Sequence, residues 1–554
     1  MVYERRVNMT KTVIEHILTR LQDIGITDIF GVAGDYAFPI NDAICKNNTL
    51  RWVGNCNELN AAYAADGYAR IKGVAALATT FAVGELSALN GIAGAYAEQL
   101  PIFHLVGMPA SHIQHGKYLV HHTLGNGDFE VFYRIAQSLS CAHTIITPEN
   151  CIDEIERLIT HALSERRPVY IGLPADYAKQ TIVPQKKVPI SLPESCPNTL
   201  RKVINLIANR LTCSECSCAL IGSMVSRFEL VKDVETIIKV TNLPYATMFM
   251  DKGVLNETNS QYIGVYNGRL MNLEVANFVE SCECVLNIGA LMSDVNTGCF
   301  TANLSPENHI QILADHVIID SVIYPHIYIY ELLSELKDIL TFIPNNALKA
   351  YGLGVPQADE TGKITRSYLY PRLEKFFKQN DIIIAETGTF SMGLGFALLP
   401  KEVSFQTQSL WGSIGWATPA ALGAAIAAPH RRVILATGDG AHQLTVQEIS
   451  QFVRWGLKPI IFVLNNDGYL IERLFCKNPE YIYNDIPHWN YAQLPAAFGC
   501  HDWLCKKITL CEELEMVLEE IESKDCAAYI EIITDRYESS ELLQKMGEII
   551  RAEQ

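Results

Sequence analysis

The sequence predicts an α/β protein of three consecutive doubly wound units, each a parallel sheet covered by helices. Three observations carry this. Short apolar runs that stop at Gly, Asp or Asn alternate along the chain with segments whose apolar residues recur at helical spacing. That is the pattern of parallel strands joined by crossover helices. Two stretches rich in turn-forming and polar residues, 181–200 and 344–362, interrupt it and read as linkers. The 554 residues are long for one domain and comfortable for three. The expected domains are therefore 1–182, 198–343 and 363–554.

In the first unit Thr10 is expected to cap a helix whose apolar face is Val13, Ile14, Ile17, Leu18 and Leu21. Residues 29–32 read as a strand ending in Ala33-Gly34-Asp35-Tyr36. Trp52-Val53 leads to Cys56-Asn57-Glu58, which opens an Ala-rich helix over 59–70. A strand over 74–80, a Gly turn, a helix over 85–98 and strands over 101–106 and 169–173 complete the set. In the second unit 219–221, 285–288 and 310–313 are strands. No G-x-G-x-x-G follows any of them, so a dinucleotide is unsupported there. In the third unit a strand over 433–437, a helix over 445–455 and a strand over 459–464 make a right-handed βαβ crossover. A final helix over 540–551 presents Leu542, Leu543, Met546 and Ile550, a face that either closes a site or packs as an ordinary amphipathic helix.

With 49% hydrophobic and 19% charged residues the chain has the composition of soluble globular domains. A net charge of −17 argues against a nucleic-acid partner. The N-terminus is polar and charged, unlike a signal peptide. The longest low-charge run, 414–429, is Gly/Ala-rich and broken by Pro419, a poor membrane span. Sixteen cysteines in a chain of this length lack the density of a secreted disulfide scaffold, so reduced thiols and a cytoplasmic location are expected. Cys213, Cys216, Cys218, Cys282 and Cys284 do not follow a standard zinc spacing and read as structural thiols.

The chemistry-bearing pattern is in the third unit. The strand over 433–437 stops at Gly438-Asp439-Gly440, and the next stops at Asn465-Asn466. Parallel strands open both carboxyl ends on one edge of the sheet, where ligands of doubly wound folds bind. The Asp439 carboxylate, the Asn466 amide oxygen and the Gly468 carbonyl are hard oxygen donors. They suit an octahedral Mg²⁺ with room left for two phosphate oxygens and a water. Gly438 and Gly440 let the backbone approach a diphosphate, and the following helix is expected to turn its positive end towards it.

GDG…NN in this context resembles the metal–diphosphate motif of the thiamine-diphosphate enzymes. GDGAHQLTVQE with NDGYLIE resembles most closely the pyruvate and indolepyruvate decarboxylase branch, and the likeness covers nearly the whole chain. It implies thiamine diphosphate and Mg²⁺ as cofactors. It also implies that the three units are pyrimidine-binding, middle Rossmann-like and diphosphate-binding domains. The partner implied is a second copy of the chain, in a dimer or dimer of dimers with the cofactor at the subunit interface. The reaction implied is non-oxidative decarboxylation of a 2-oxo acid to an aldehyde and carbon dioxide, through an ylide and an enamine.

The resemblance also assigns residues. Glu58, in NELNAAYAADGYAR, falls where the family has the carboxylate that bonds the aminopyrimidine; taken alone, it is an ordinary first-turn glutamate. Ile414, after Gly412 and Ser413 in WGSIGW, falls where an aliphatic side chain wedges between the two rings. Thr387, Gly388 and Thr389, in AETGTFSMG, match the segment that meets the pyrimidine. Gly438, Asp439, Gly440 and Ala441 on one side and Asn466, Gly468, Tyr469, Leu470 and Ile471 on the other match the rest of the cofactor site. Asp35, His121, His122 and Glu472 match the acid relay; each alone is an unremarked turn, loop or helix-surface residue. Histidine suits proton transfer near neutrality, and Glu472 is expected to need its pKa raised by apolar surface such as Ile471.

Three positions depart from the pattern. Ser391, followed by Met392, stands where an aromatic is usual; Phe390 stands where a small polar residue is common; His442 replaces a Phe, Leu or Ala. Ser391 is expected to widen the substrate pocket and Ile471 to narrow it. Pyruvate, branched-chain, phenylpyruvate and indolepyruvate substrates all stay open. Two alternatives stand beside the decarboxylase. An acetolactate-synthase-type carboligase would share the metal site but does not combine His-His with GYxIE. A catalytically silent thiamine-diphosphate-binding regulatory protein would bind without turnover.

Overall fold

The computed structural model describes residues 10–183, 189–345 and 347–553. The chain forms two compact units, Met1–Leu192 with Leu422–Ala427, and Pro193–Ala421 with Ala428–Gln554. Among the described residues no helix is long and apolar enough to cross a membrane.

In the first unit the runs Asp28–Gly31, Ala75–Thr80, Ile102–Met108 and Val169–Pro174 are buried throughout. Strands covered on both faces need such continuous apolar character. With Arg51–Gly54 and Ala142–Ile145 they form an all-parallel six-stranded sheet. In chain order the strands lie second, first, third, fourth, sixth, fifth. The first helix, Val13–Asp23, buries the predicted face, but its cap is Thr12 rather than Thr10. Only Thr12 has a glutamate three places on. Its Oγ1 accepts from Glu15 N–H, and the Glu15 carboxylate accepts from Thr12 N–H at 2.8 Å, a reciprocal capping box. Part of the first expected linker is a strand, since Thr181–Ile182 pairs antiparallel with Lys11–Thr12. Residues 184–188 of that linker lie outside the described residues.

The second unit holds two sheets. In one, Tyr262–Val265, Tyr245–Thr247, Ser217–Ile221, Cys284–Ile288 and His309–Ile312 run parallel in the order third, second, first, fourth, fifth. This is the Rossmann-like order. The all-parallel expectation fails at one edge, where His316–Ile319 and Val322–Pro325 add an antiparallel hairpin. Asp320 and Ser321, at φ +52° and +63°, turn the chain back in two residues, as a tight hairpin requires.

The other sheet is all-parallel: Ser404–Gln406, Ile382–Ala385, Val433–Gly438, Ile460–Asn465, Ala528–Ile533, Leu504–Ile508. Its strand order repeats that of the first unit. The crossover after Val433–Gly438 is not the single helix expected over 445–455. It is helical at Asp439–Thr445, passes through a 3₁₀ turn at Val446–Glu448 and resumes at Ile449–Arg454. Thr445 takes φ −139° and its Oγ1 donates to Gly415 O at 2.6 Å. A side chain that bonds backbone elsewhere draws its residue off the helical path.

Lys252 and Glu257 are a buried ion pair, their side chains 0% and 1% exposed. Lys252 Nζ donates to both carboxylate oxygens at 3.0 and 2.9 Å, and Glu257 Oε2 also accepts from Leu399 N–H at 2.9 Å. The pair therefore joins two remote stretches of the second unit. Glu257→Ala should cost about 3–5 kcal/mol, because it strands a buried ammonium. Denaturant unfolding should show that loss in the transition of this unit.

Candidate active site

A cleft opens in the second unit, lined by residues 386–390, Ile414, 438–441, Leu464, Asn466 and 468–472. It lies at the carboxyl ends of Ile382–Ala385, Val433–Gly438 and Ile460–Asn465. Pairing of Ala385 with Ala436 and of Gly438 with Leu464 brings these ends close to level. The strand order reverses between the first two, the switch point at which open α/β sheets bind ligands. Every cofactor-site candidate from the third predicted unit lines the cleft except Gly412 and Ser413. Those two precede Ile414 in the turn, and Ser413 N–H donates to Gln408 Oε1 at 2.9 Å.

At the cleft floor Asp439 is buried. Its Oδ1 accepts from Gly440 N–H at 2.8 Å and its Oδ2 from Gly468 N–H at 3.1 Å, tying the two strand ends together. Burial raises its carboxyl to about 6. The Asn466 amide oxygen lies 3.0 Å from Gly468 O and 3.3 Å from Asp439 Oδ1. Three acceptors then converge with no donor between them. Turning the amide would convert the two contacts into hydrogen bonds; a divalent cation would satisfy all three oxygens where they stand. Neighbouring ligands of an octahedral Mg²⁺ at 2.0–2.1 Å lie about 3 Å apart, so the donor set fits the ion. A Cβ at Gly440 would lie 2.6 Å from the Tyr469 ring, so a side chain there would push the two cleft walls apart. Tyr491 braces the same turn, its hydroxyl donating to Asp439 O at 3.2 Å.

Sequence reasoning missed Glu386. Fully buried, it accepts from the N–H groups of Thr387, Gly415 and Ala417, each at 3.1 Å. It thus fastens the AETGT wall to the turn that carries Ile414. Burial raises its carboxyl to about 7 against the pull of those N–H groups. A second buried acid, Glu85, stands in the first unit after the third strand, in the first turn of the helix Val83–Ala97. It accepts from Ala82 N–H at 2.7 Å and from the Tyr170 hydroxyl at 2.9 Å, and holds Ala82 at φ +54°. Burial raises it too, to about 7.

Of the three departures, Ser391 differs from expectation. Ser391 does not widen the cleft: it is buried off the lining, its Oγ donating to Gly388 O at 3.1 Å. Phe390 lines the cleft instead. Met392 packs with Leu470, Leu542, Leu543 and Met546, and Ile549 joins that cluster in the place expected of Ile550. The final helix, Glu541–Glu553, thereby lies on Leu470–Phe475 beside the cleft. His442 is fully buried behind the cleft with Nδ1 2.9 Å from Thr418 Oγ1, and burial drives its pKa to about 3, leaving it neutral. Ile471 and Glu472 line the cleft, Glu472 on its exposed side.

In the first unit Asp35, His121 and His122 come together. His121 Nε2 lies 2.7 Å from Asp35 Oδ2, Tyr36 stacks on His121 at 4.8 Å, and the two imidazole centroids are 4.7 Å apart. His122 sits at φ +59°. Glu58 is half-buried at the start of Glu58–Lys72, a helix capped by Asn57, and burial raises its carboxyl above the usual range. All sixteen cysteines are free thiols. Among the described residues no three of them cluster as metal ligands.

The buried acids make a pH prediction. Glu85, Glu386 and Asp439 bind their protons more tightly folded than unfolded. Their contribution to stability is full below about pH 4 and is lost as pH rises through about 6 to 7. The cofactor-free protein should therefore lose thermal stability across that interval. Glu386→Gln should make the slope shallower in unfolding scans at stepped pH; an unchanged slope would contradict the assignment.

Comparison with known proteins gives an independent result. Profiles of the thiamine pyrophosphate enzyme N-terminal TPP binding domain, central domain and C-terminal TPP binding domain match residues 11–130, 204–341 and 386–532. Pyruvate decarboxylase isozyme 3 of Saccharomyces cerevisiae is 38% identical over 559 residues, 98% of each chain. Pyruvate decarboxylase of Kluyveromyces marxianus is 38% identical over 517 residues, 91% of each. The thiamine metabolism regulatory protein THI3 of S. cerevisiae is 36% identical over 541 residues, 94% of this chain and 88% of that one.

Proposed function

The chain belongs to the thiamine-diphosphate-dependent 2-oxo acid decarboxylases, and we propose that it converts a 2-oxo acid to an aldehyde and carbon dioxide with the residues of these two clusters. The observation that carries the reading is the convergence of the Asp439, Asn466 and Gly468 oxygens in a cleft that also holds Ile414 and Glu472.

Asp439, Asn466 and the Gly468 carbonyl would hold Mg²⁺ and, through it, a diphosphate. Residues 387–389 would meet the pyrimidine and Ile414 would support the ring fold. Bound thiamine diphosphate supplies the carbon nucleophile and the electron sink. Glu58, raised by burial, would share a proton with the aminopyrimidine as a hydrogen-bonded acid. Asp35 Oδ2, 2.7 Å from His121 Nε2, would fix the orientation of that ring. His121, His122 and Glu472 would then move the proton that the substrate carbon gains when carbon dioxide leaves.

We place the protein in the cytoplasm, a compartment that keeps its free thiols reduced. The working form is a dimer or dimer of dimers, with Glu58 and the histidine cluster of one copy serving the metal site of another. The likeness to THI3 favours a second reading, a regulatory protein that binds the cofactor without turnover. Presence of Glu58, Asp35, His121, His122 and Glu472 together favours catalysis.

A panel of 2-oxo acids, coupled to aldehyde reduction, should give aldehyde and carbon dioxide in equal amounts. Cofactor binding without turnover on any of them would select the regulatory reading. Asp439→Ala should abolish Mg²⁺-dependent cofactor binding. Glu472→Gln should keep the cofactor and lose about 10²–10⁴-fold in aldehyde release. Co-expressed Glu58→Gln and Asp439→Ala chains, each inactive alone, should yield about a quarter of normal activity if sites are shared across a two-fold axis. A wholly inactive mixture would contradict shared sites.

A further inference from the structure

Beside the cleft but off its lining lies a cation that the proposed chemistry leaves without a role. Arg473 stands in the short helix Leu470–Phe475, one residue after Glu472, and its side chain is fully buried. Its Nη1 donates to Asn466 O at 3.2 Å and its Nη2 to Asp467 O. Nη2 also meets the half-exposed carboxylate of Asp485 at 3.1 Å, which Arg536 shares at 3.0 Å. Nε is buried without a hydrogen-bond partner. Burying a guanidinium with so little anionic compensation is costly, and filling space alone would be served as well by a methionine.

The three loop residues explain what it does. Resting on the metal-site reading above, we infer that Arg473 is a positioning residue for the divalent cation. The guanidinium engages the carbonyls of Asn466 and Asp467, which leaves the Gly468 carbonyl and the Asn466 side chain to face Asp439. Gly468 can present its carbonyl this way because it sits at φ +138°. A Cβ there would run into the guanidinium and into Asn484 O. Asn484 O in turn accepts from Tyr469 N–H at 2.9 Å, so the loop is held from both sides. Two carbonyls and a carboxylate around one side chain call for the fork of an arginine; a lysine ammonium would reach fewer of them.

The test titrates Mg²⁺ into the full-length protein with thiamine diphosphate and follows bound cofactor by equilibrium dialysis; thermal unfolding without Mg²⁺ records folding separately. Arg473→Met should raise the Mg²⁺ needed for half-saturation about 10–100-fold, the usual effect of losing a group that orients metal ligands. Excess Mg²⁺ should restore occupancy, which general structural damage would not allow. Arg473→Lys should fall between the two. A folded Arg473→Met protein with the normal Mg²⁺ requirement overturns the inference. Should the methionine variant not fold, a normal requirement in Arg473→Lys overturns it equally. Asp439→Ala separates the two levels. If it loses Mg²⁺-dependent binding while both arginine variants behave normally, only the role of Arg473 falls. If it too binds normally, the metal site falls with it.

Discussion

Two main-chain N–H groups hold the Asp439 carboxylate, and the parallel sheet that carries it brings the Asn466 side chain and Gly468 beside it. The parallel pairing of Val433–Gly438 with Ile460–Asn465 ends both strands near the same level. The residues just beyond the two strand ends are therefore forced into one small volume. Asp439 comes after one strand and Asn466 and Gly468 after the other, so the contact is a consequence of sheet register rather than of any local motif. The arrangement is tolerable because backbone N–H groups hold the carboxylate at both oxygens, and it becomes favourable once a cation lies between the donors. Around it the protein has put rigid braces: Tyr491 on the Asp439 carbonyl, Tyr469 against Gly440, Arg473 on the neighbouring carbonyls.

The same tension between burial and charge recurs in the walls. Glu386 and Glu85 are carboxylates taken out of water and given main-chain N–H groups instead of a cation. Hydrogen bonds of this kind favour the charged form, burial disfavours it, and burial wins at both sites. At Asp439 the nearby Asp467 adds to the penalty. Each acid fixes a turn whose own backbone would otherwise be free, which is why they stand near strand ends. At Glu386 the acid holds two cleft-lining segments in place, residues 387–389 and the turn of Ile414.

Signals local in the chain were legible in the sequence. The buried strands announce themselves by apolar runs, the GDG and NN turns by their position after strands, and His121-His122 by a motif. The features that escaped a linear reading depend on partners remote in sequence. Thr12 rather than Thr10 caps the first helix because of a reciprocal bond with Glu15, a near miss that a scan for glutamate three places on would have caught. The break after Thr445 depends on Gly415 O, thirty positions away. Ser391 looked like a pocket residue because its neighbours in the motif are; one helical turn points it at Gly388 O instead. Glu386 lay within a recognised motif, yet nothing linear shows that Gly415 and Ala417 come back to meet it. Arg473 was invisible for a related reason: its partners are carbonyls, and every residue has one.

The first-unit sheet and the sheet that bears the metal donors share a strand order, so each has a reversal point at which ligands are received. They furnish it differently. After its first and second strands the first unit puts Asp35 and Glu58, and a later loop adds the histidines. The other sheet puts Thr387 after its first strand and Asp439 after its third. One set groups a carboxylate with two histidines; the other groups Asp439, Asn466 and Gly468 in a cleft that Glu472 also lines. The shared topology thus accounts for where the residues of each set stand: each follows strand ends at its own sheet's reversal point.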